Sequence, residues 1–182
     1  LQGEVTVDVV VSPERLKAGG EIKYTYKFKN NAAQARNNII VEAIWTHFFD
    51  KSWQFCGTDQ CAPFAVTSGL VVTALPQCPV NIPDDVQDTS RKCYQIGSLG
   101  TGVAGEFSVK TITKPEIFPQ TKKEPTRPAG SARLYLEAAA KHISEDTASA
   151  LIEGPVFVLT KVPASTANIY PLESTEFIIT LG

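Results

Sequence analysis

The chain has no methionine among its 182 residues. Leu1 therefore reads as a processed or excised boundary, which a signal peptide or an upstream domain would precede. No apolar run approaches the roughly 18 residues of a membrane helix, so no membrane span is expected. There is no Asn-x-Ser/Thr sequon, and N-glycosylation is not expected. Charge of one sign is also missing: 17 Lys and Arg stand against 19 Asp and Glu, a net charge of −2. Without a basic stripe, nucleic acid is not an expected partner. Histidine is scarce. His47 and His142 are far apart and not spaced as a ligand pair. No Gly-x-Ser-x-Gly elbow occurs, and the carboxylates show no paired arrangement. These absences assign no catalytic residue and no cofactor, and the chain reads as a non-enzyme.

What is present begins with an apolar fraction of 43%, enough for a real core. Four cysteines, Cys56, Cys61, Cys78 and Cys93, lie in one region. An even count so confined points to two disulfides and an oxidising compartment. Three pairings are possible. The local solution, Cys56–Cys61 with Cys78–Cys93, is favoured, and its longer loop would add about 3 kcal/mol in the chain-entropy model. Zinc is the alternative, but there is no Cys-x2-Cys knuckle.

Period-two alternation dominates the pattern, and helical periodicity is almost absent. Residues 4–12 read as a strand with Val5, Val7, Val9 and Val11 on one face. Residues 21–30 turn Ile22, Tyr24, Tyr26 and Phe28 to a core and Glu21, Lys23, Lys27 and Lys29 to water. Residues 38–47 place Ile39, Val41, Ala43 and Trp45 inward. Further strands are expected near 105–113, 132–140 and 151–160, with Leu134 and Leu136 inward and Arg133, Tyr135 and Glu137 outward. The stretch 142–149 reads as a turn. Between them, 49–95 reads as a disulfide-pinned insertion, with one short strand in 66–74. Residues 114–130 hold four prolines and read as an exposed loop, its lysines and arginine solvated. Seven or eight short strands predict an all-β, immunoglobulin-like Greek-key sandwich, with a jelly roll as the alternative. The domain is expected over 1–163, and 164–182 as its terminal strand or the start of a following module.

The run Ala18-Gly19-Gly20-Glu21-Ile22-Lys23-Tyr24-Thr25-Tyr26-Lys27-Phe28-Lys29-Asn30 resembles the opening of an uncharacterised family of immunoglobulin-like repeats in secreted and cell-surface proteins. Asn38-Ile39-Ile40-Val41-Glu42-Ala43 is similar to its next strand. Cys78 and Cys93-Tyr94-Gln95-Ile96-Gly97-Ser98-Leu99-Gly100-Thr101-Gly102 resemble a later stretch, and Gly105-Glu106-Phe107-Ser108-Val109 the strand after it. The resemblance covers 4–48 and 93–112 best. It implies an immunoglobulin-like fold and the work of a stalk, spacer or adhesive module. The Cys56/Cys61 segment and the loop 114–130 are insertions relative to that family.

Two stretches suggest binding. Trp45 to Phe55 carries five aromatic rings in eleven residues. Phe49, Trp53 and Phe55 are candidates for a sugar-stacking or protein-docking platform, whereas the phase of Trp45 places it in the core. Asp84, Asp85 and Asp88 have a composition that calcium accepts, but the spacing is not that of an EF-hand, and a solvated turn is the favoured reading. The expected function is a non-catalytic structural or adhesive module of a larger extracellular or cell-surface protein. Its partners would be neighbouring domains or subunits. The alternative is a carbohydrate- or ligand-binding module using residues 45–55, with a glycan as partner.

Overall fold

A computed structural model describes residues 4–17, 19–48, 51–52, 54–82, 89–113, 129–136, 141–153, 162–163 and 177–178. The described elements are all strands: β1 (Val5–Ser12), β2 (Arg15–Lys17), β3 (Glu21–Asn30), β4 (Arg36–Phe48), β5 (Lys51–Ser52), β6 (Gln54–Phe55), β7 (Val72–Ala74), β8 (Thr89–Leu99), β9 (Ala104–Thr113), β10 (Ala129–Leu136), β11 (Ser144–Ser149), β12 (Leu151–Glu153), β13 (Val162–Pro163) and β14 (Phe177–Ile178).

Two antiparallel sheets face each other. The first runs β1-β3-β9-β6 and the second β11-β10-β4-β8-β7, with β5 paired to β4. The chain changes sheet between β3 and β4, touches the first sheet again at β6, lies in the second at β7 and β8, returns to the first at β9 and lies in the second again at β10. That is the Greek-key order of an immunoglobulin-like sandwich, and it excludes the jelly roll. Two small pairs stand apart from the sheets, β2 with β12 in parallel and β13 with β14 antiparallel.

Alternation explains which residues lie between the sheets. Ile22, Tyr24, Tyr26 and Phe28 of β3 are buried against Ile39, Val41, Ala43 and Trp45 of β4 and Tyr94 and Ile96 of β8. Phe107 of β9 sits at the aromatic centre, its ring 5.2 Å from that of Tyr26 and 5.0 Å from that of Tyr94. Gly130 makes one crossing possible. A Cβ there would fall 2.4 Å from the Tyr24 ring. Buried Asn30 ties the sheets at one end, its Nδ2 donating to Leu99 O and Gln34 O, each at 2.9 Å.

Sandwiches leave edges that other chains can pair with. On one flank, β11 closes the edge of β1 with side chains. Ser144 Oγ accepts the Val7 N–H at 3.0 Å and Asp146 Oδ2 accepts the Val9 N–H at 2.7 Å. The opposite flank is closed by the long segment before β8.

Four expectations change. The insertion does not run to residue 95, because Thr89–Leu99 is a full strand paired with β4 from Arg36 to Thr46. Residues 144–149 form an edge strand, not a turn, because β10 supplies six paired positions from Ala129 to Leu134. Tyr135 points away from the main core as expected, yet it is buried, because the outer face of the second sheet is roofed. Within 66–74 only Val72–Ala74 is a strand. The chain turns before it at Gly69, whose φ of 81° suits glycine.

Candidate functional site

Residues 54–82 are one continuous clasp. Gln54–Phe55 pairs with Thr113 and Ile112 at the edge of β9. The Cys56–Cys61 bridge then closes a turn in which Gln60 N donates to Gly57 O at 2.9 Å and Asp59 Oδ1 accepts the Cys61 N–H at 3.0 Å. Farther on, Phe64 exchanges two backbone bonds with Ser108, at 2.9 and 2.8 Å, and Thr67 bonds Glu106. The Lys110 ammonium lies 5.4 Å over the Phe64 ring. Beyond Gly69 the chain crosses to the other sheet, where Val72–Ala74 pairs with β8. One segment therefore occupies edge positions in both sheets.

The clasp ends on the outer face of the second sheet. Leu75 N donates to Cys93 O at 2.9 Å, Ile82 N closes a turn on Pro79 O at 3.0 Å, and Cys78 is bonded to Cys93. Beneath lies a second apolar cluster of Ile40, Ile82, Cys93 and Tyr135, with Leu75 and Cys78 packed against it. Beside it sits Glu42, wholly buried and directly opposite Cys93 on one side and Arg133 on the other. The Tyr135 hydroxyl donates to Glu42 Oε2 at 3.0 Å, and Arg91 Nε lies 3.3 Å from Oε1. Glu145 extends the chain of charges, 3.2 Å from Arg133 Nε and 3.4 Å from His142 Nε2. Burial, with the Glu42 charge and hydrogen bond adding to it, pushes the Tyr135 hydroxyl up to about 12.

A second polar network lies inside the core, near the first bridge. Gln54 Oε1 accepts from the Tyr24 hydroxyl at 2.7 Å and from Thr111 Oγ1 at 2.8 Å. The Tyr94 hydroxyl donates to Cys61 O at 2.8 Å. Burial raises the pKa of Tyr24, Tyr26 and Tyr94, so all three stay neutral donors. Tyr26 and Trp45 contribute polar atoms to the same interior. The Tyr26 hydroxyl and the Trp45 Nε1 are buried and reach full hydrogen-bond geometry with no partner among the described residues.

The sequence candidates separate accordingly. Trp45 is 1% exposed and belongs to the core, as its phase implied. Phe49 and Trp53 lie outside the described residues, as do Asp84, Asp85 and Asp88. Phe55 is placed by its backbone in β6, and its side chain lies outside the description. Both disulfides pair as spacing favoured. Among the described residues, no three His, Cys, Asp or Glu side chains converge as a metal site. Sequence reasoning missed Glu42, Tyr135 and Arg91. The available signal was a carboxylate inside the apolar run from Ile39 to Trp45. A shallow groove of 360 Å³ crosses the outer face of the first sheet between Asp8, Lys27, Lys29, Thr67 and Glu106, and its mixed charges suit solvent.

No protein-family model matches the sequence, and no curated protein does. Solved structures do match. A cohesin module of a family 33 glycoside hydrolase from Clostridium perfringens is similar over 82% of this chain and 97% of its own, with a TM-score of 0.50 and 9% identity. That likeness shows the β-sandwich fold. BcpA, the major pilin subunit of Bacillus cereus, matches over 85% of this chain at a TM-score of 0.43 and 10% identity. The alkylpurine DNA glycosylase AlkC of Pseudomonas fluorescens, solved bound to DNA with an abasic-site analogue, matches over 82% at a TM-score of 0.41 and 12% identity. The chain spans 41% of the pilin and 30% of the glycosylase.

Proposed function

We propose that this chain is a non-catalytic structural or adhesive module of a larger extracellular or cell-surface protein. The observation that carries the reading is the clasp. A single segment hems the edges of both sheets and is fixed by two disulfides. Edge closure of this kind suits a block that must stand beside others without pairing with them. The disulfides support an oxidising, extracellular setting. Glu42 is held by Tyr135 and Arg91 inside the wall of the fold, where it braces the sheet. The cohesin-like fold supports a module that works beside others, though fold by itself does not set function.

The test is a binding and turnover screen on the purified, oxidised domain. Cell-surface or protein-surface capture, with a blank glycan array and no hydrolysis of chromogenic esters or glycosides, supports the module. A specific glycan hit lost on Trp53→Ala replaces it with the ligand-binding reading. Turnover of any substrate overturns the non-catalytic assignment.

A further inference from the structure

We propose that the two disulfides have unequal jobs, and that Cys78–Cys93 is a thiol-reducible latch whose opening unroofs the outer face of the second sheet while the sandwich stays folded. The Cys56–Cys61 turn carries its own hydrogen-bond frame. Gln60 N bonds Gly57 O, Ala62 N bonds Asp59 O, Asp59 Oδ1 accepts the Cys61 N–H, and Lys92 Nζ reaches Gln60 O at 2.7 Å. Cys61 is sealed in the main core beneath the Tyr94 hydroxyl bond. Once reduced, these two thiols stay side by side and close again readily.

The segment 76–82 is built differently. Its closing bond, Ile82 N to Pro79 O, is local. The Cys78–Cys93 bond and the buried Ile82 side chain are among the contacts that hold it on the sheet. The apolar cluster it roofs is small and separate from the main core. Release there leaves the inter-sheet packing intact and bares Ile40 and Tyr135 beside Glu42.

The chemistry is an exchange with a dithiol reductant, whether a small dithiol or a redox protein. Cys93 is 1% exposed and Cys78 is half-buried, so the attacking thiolate meets Cys78 Sγ. The Cys78–Cys93 bond breaks, a mixed disulfide forms on Cys78, and Cys93 leaves as a thiolate that takes up a proton. The second thiol of the reductant displaces Cys78, which is protonated in turn, and the reductant departs as its own disulfide. Two electrons pass to the protein.

The experiment is a graded dithiothreitol reduction of the native chain, quenched by alkylation and mapped by mass spectrometry, with a dye that reports exposed apolar surface. Cys78 and Cys93 are expected to be alkylated at reductant concentrations about tenfold below those that open Cys56–Cys61. Dye binding should rise with the first step while near-ultraviolet circular dichroism of the aromatic core persists. Cys78→Ala with Cys93→Ala should bind dye without reductant, and Cys56→Ala with Cys61→Ala should not. Opening of Cys56–Cys61 first, opening of both together with loss of the core signal, or an unroofed state that binds no dye would each overturn the latch. Should the Cys78/Cys93 variant fail to fold, the graded reduction of the native chain decides alone.

Discussion

Glu42 lies in a strand whose neighbours are Val41 and Ala43, and it has no access to solvent. An unpaired carboxylate there would cost several kcal/mol, so its partners matter more than their number suggests. Tyr135→Phe removes one donor and leaves Glu42 Oε2 short of a bond. Urea unfolding should show a loss of about 1–3 kcal/mol. Gly130 presents the opposite problem, since it has no room for a side chain. Gly130→Ala drives a methyl into the Tyr24 ring and should cost about 1–3 kcal/mol or more, read as a fall in melting temperature. Residues of the β3 and β4 core faces were readable from sequence because one strong rule decides them. Tyr135 was not, because alternation says which face a side chain takes and not whether that face meets water.

At the scale of elements, the two flanks are closed by different chemistry. Side chains from β11 cap the backbone of β1, whereas the clasp pairs with β9 and β8 as short strands. Asp146→Ala should strip the cap from Val9 at a cost of about 1–3 kcal/mol. Amide hydrogen exchange should then quicken at Val9 and stay slow in β4. The same chemistry explains why β11 escaped a sequence reading. Ser-Glu-Asp-Thr-Ala-Ser has little strand propensity, and its conformation comes from β10 on one side and the β1 amides on the other. In β8, the polar start Thr89-Ser90-Arg91-Lys92 looks like a loop continuing from the cysteine-rich segment. Only pairing with β4 shows it to be a strand. For the disulfides, sequence distance favoured one of three possible pairings, and the structure has that one.

Across the whole molecule, the tyrosines set an upper limit in pH. The hydroxyl of Tyr135 ionises near 12 in the fold, against an ordinary value of about 10. The folded form therefore binds its proton more tightly than the unfolded chain. That contribution is complete below pH of about 10 and is lost as pH climbs toward 12. Tyr24, Tyr26 and Tyr94 shift in the same direction and deepen the fall. Chemical denaturation at pH 9, 10 and 11 should show a flat and then a falling stability, and Tyr135→Phe should flatten part of the decline.

The bonds from Ser144 and Asp146 to Val7 and Val9 each join residues 137 positions apart. Synthesis runs from the N-terminus, so β1 is made long before its cap exists. Until residue 146 emerges, the outer amides of β1 have only water or a foreign strand to bond with. Until β11 follows, β1 is thus the strand of this domain left open to aberrant pairing. A strand made much later, β11, acts as the lock on β1.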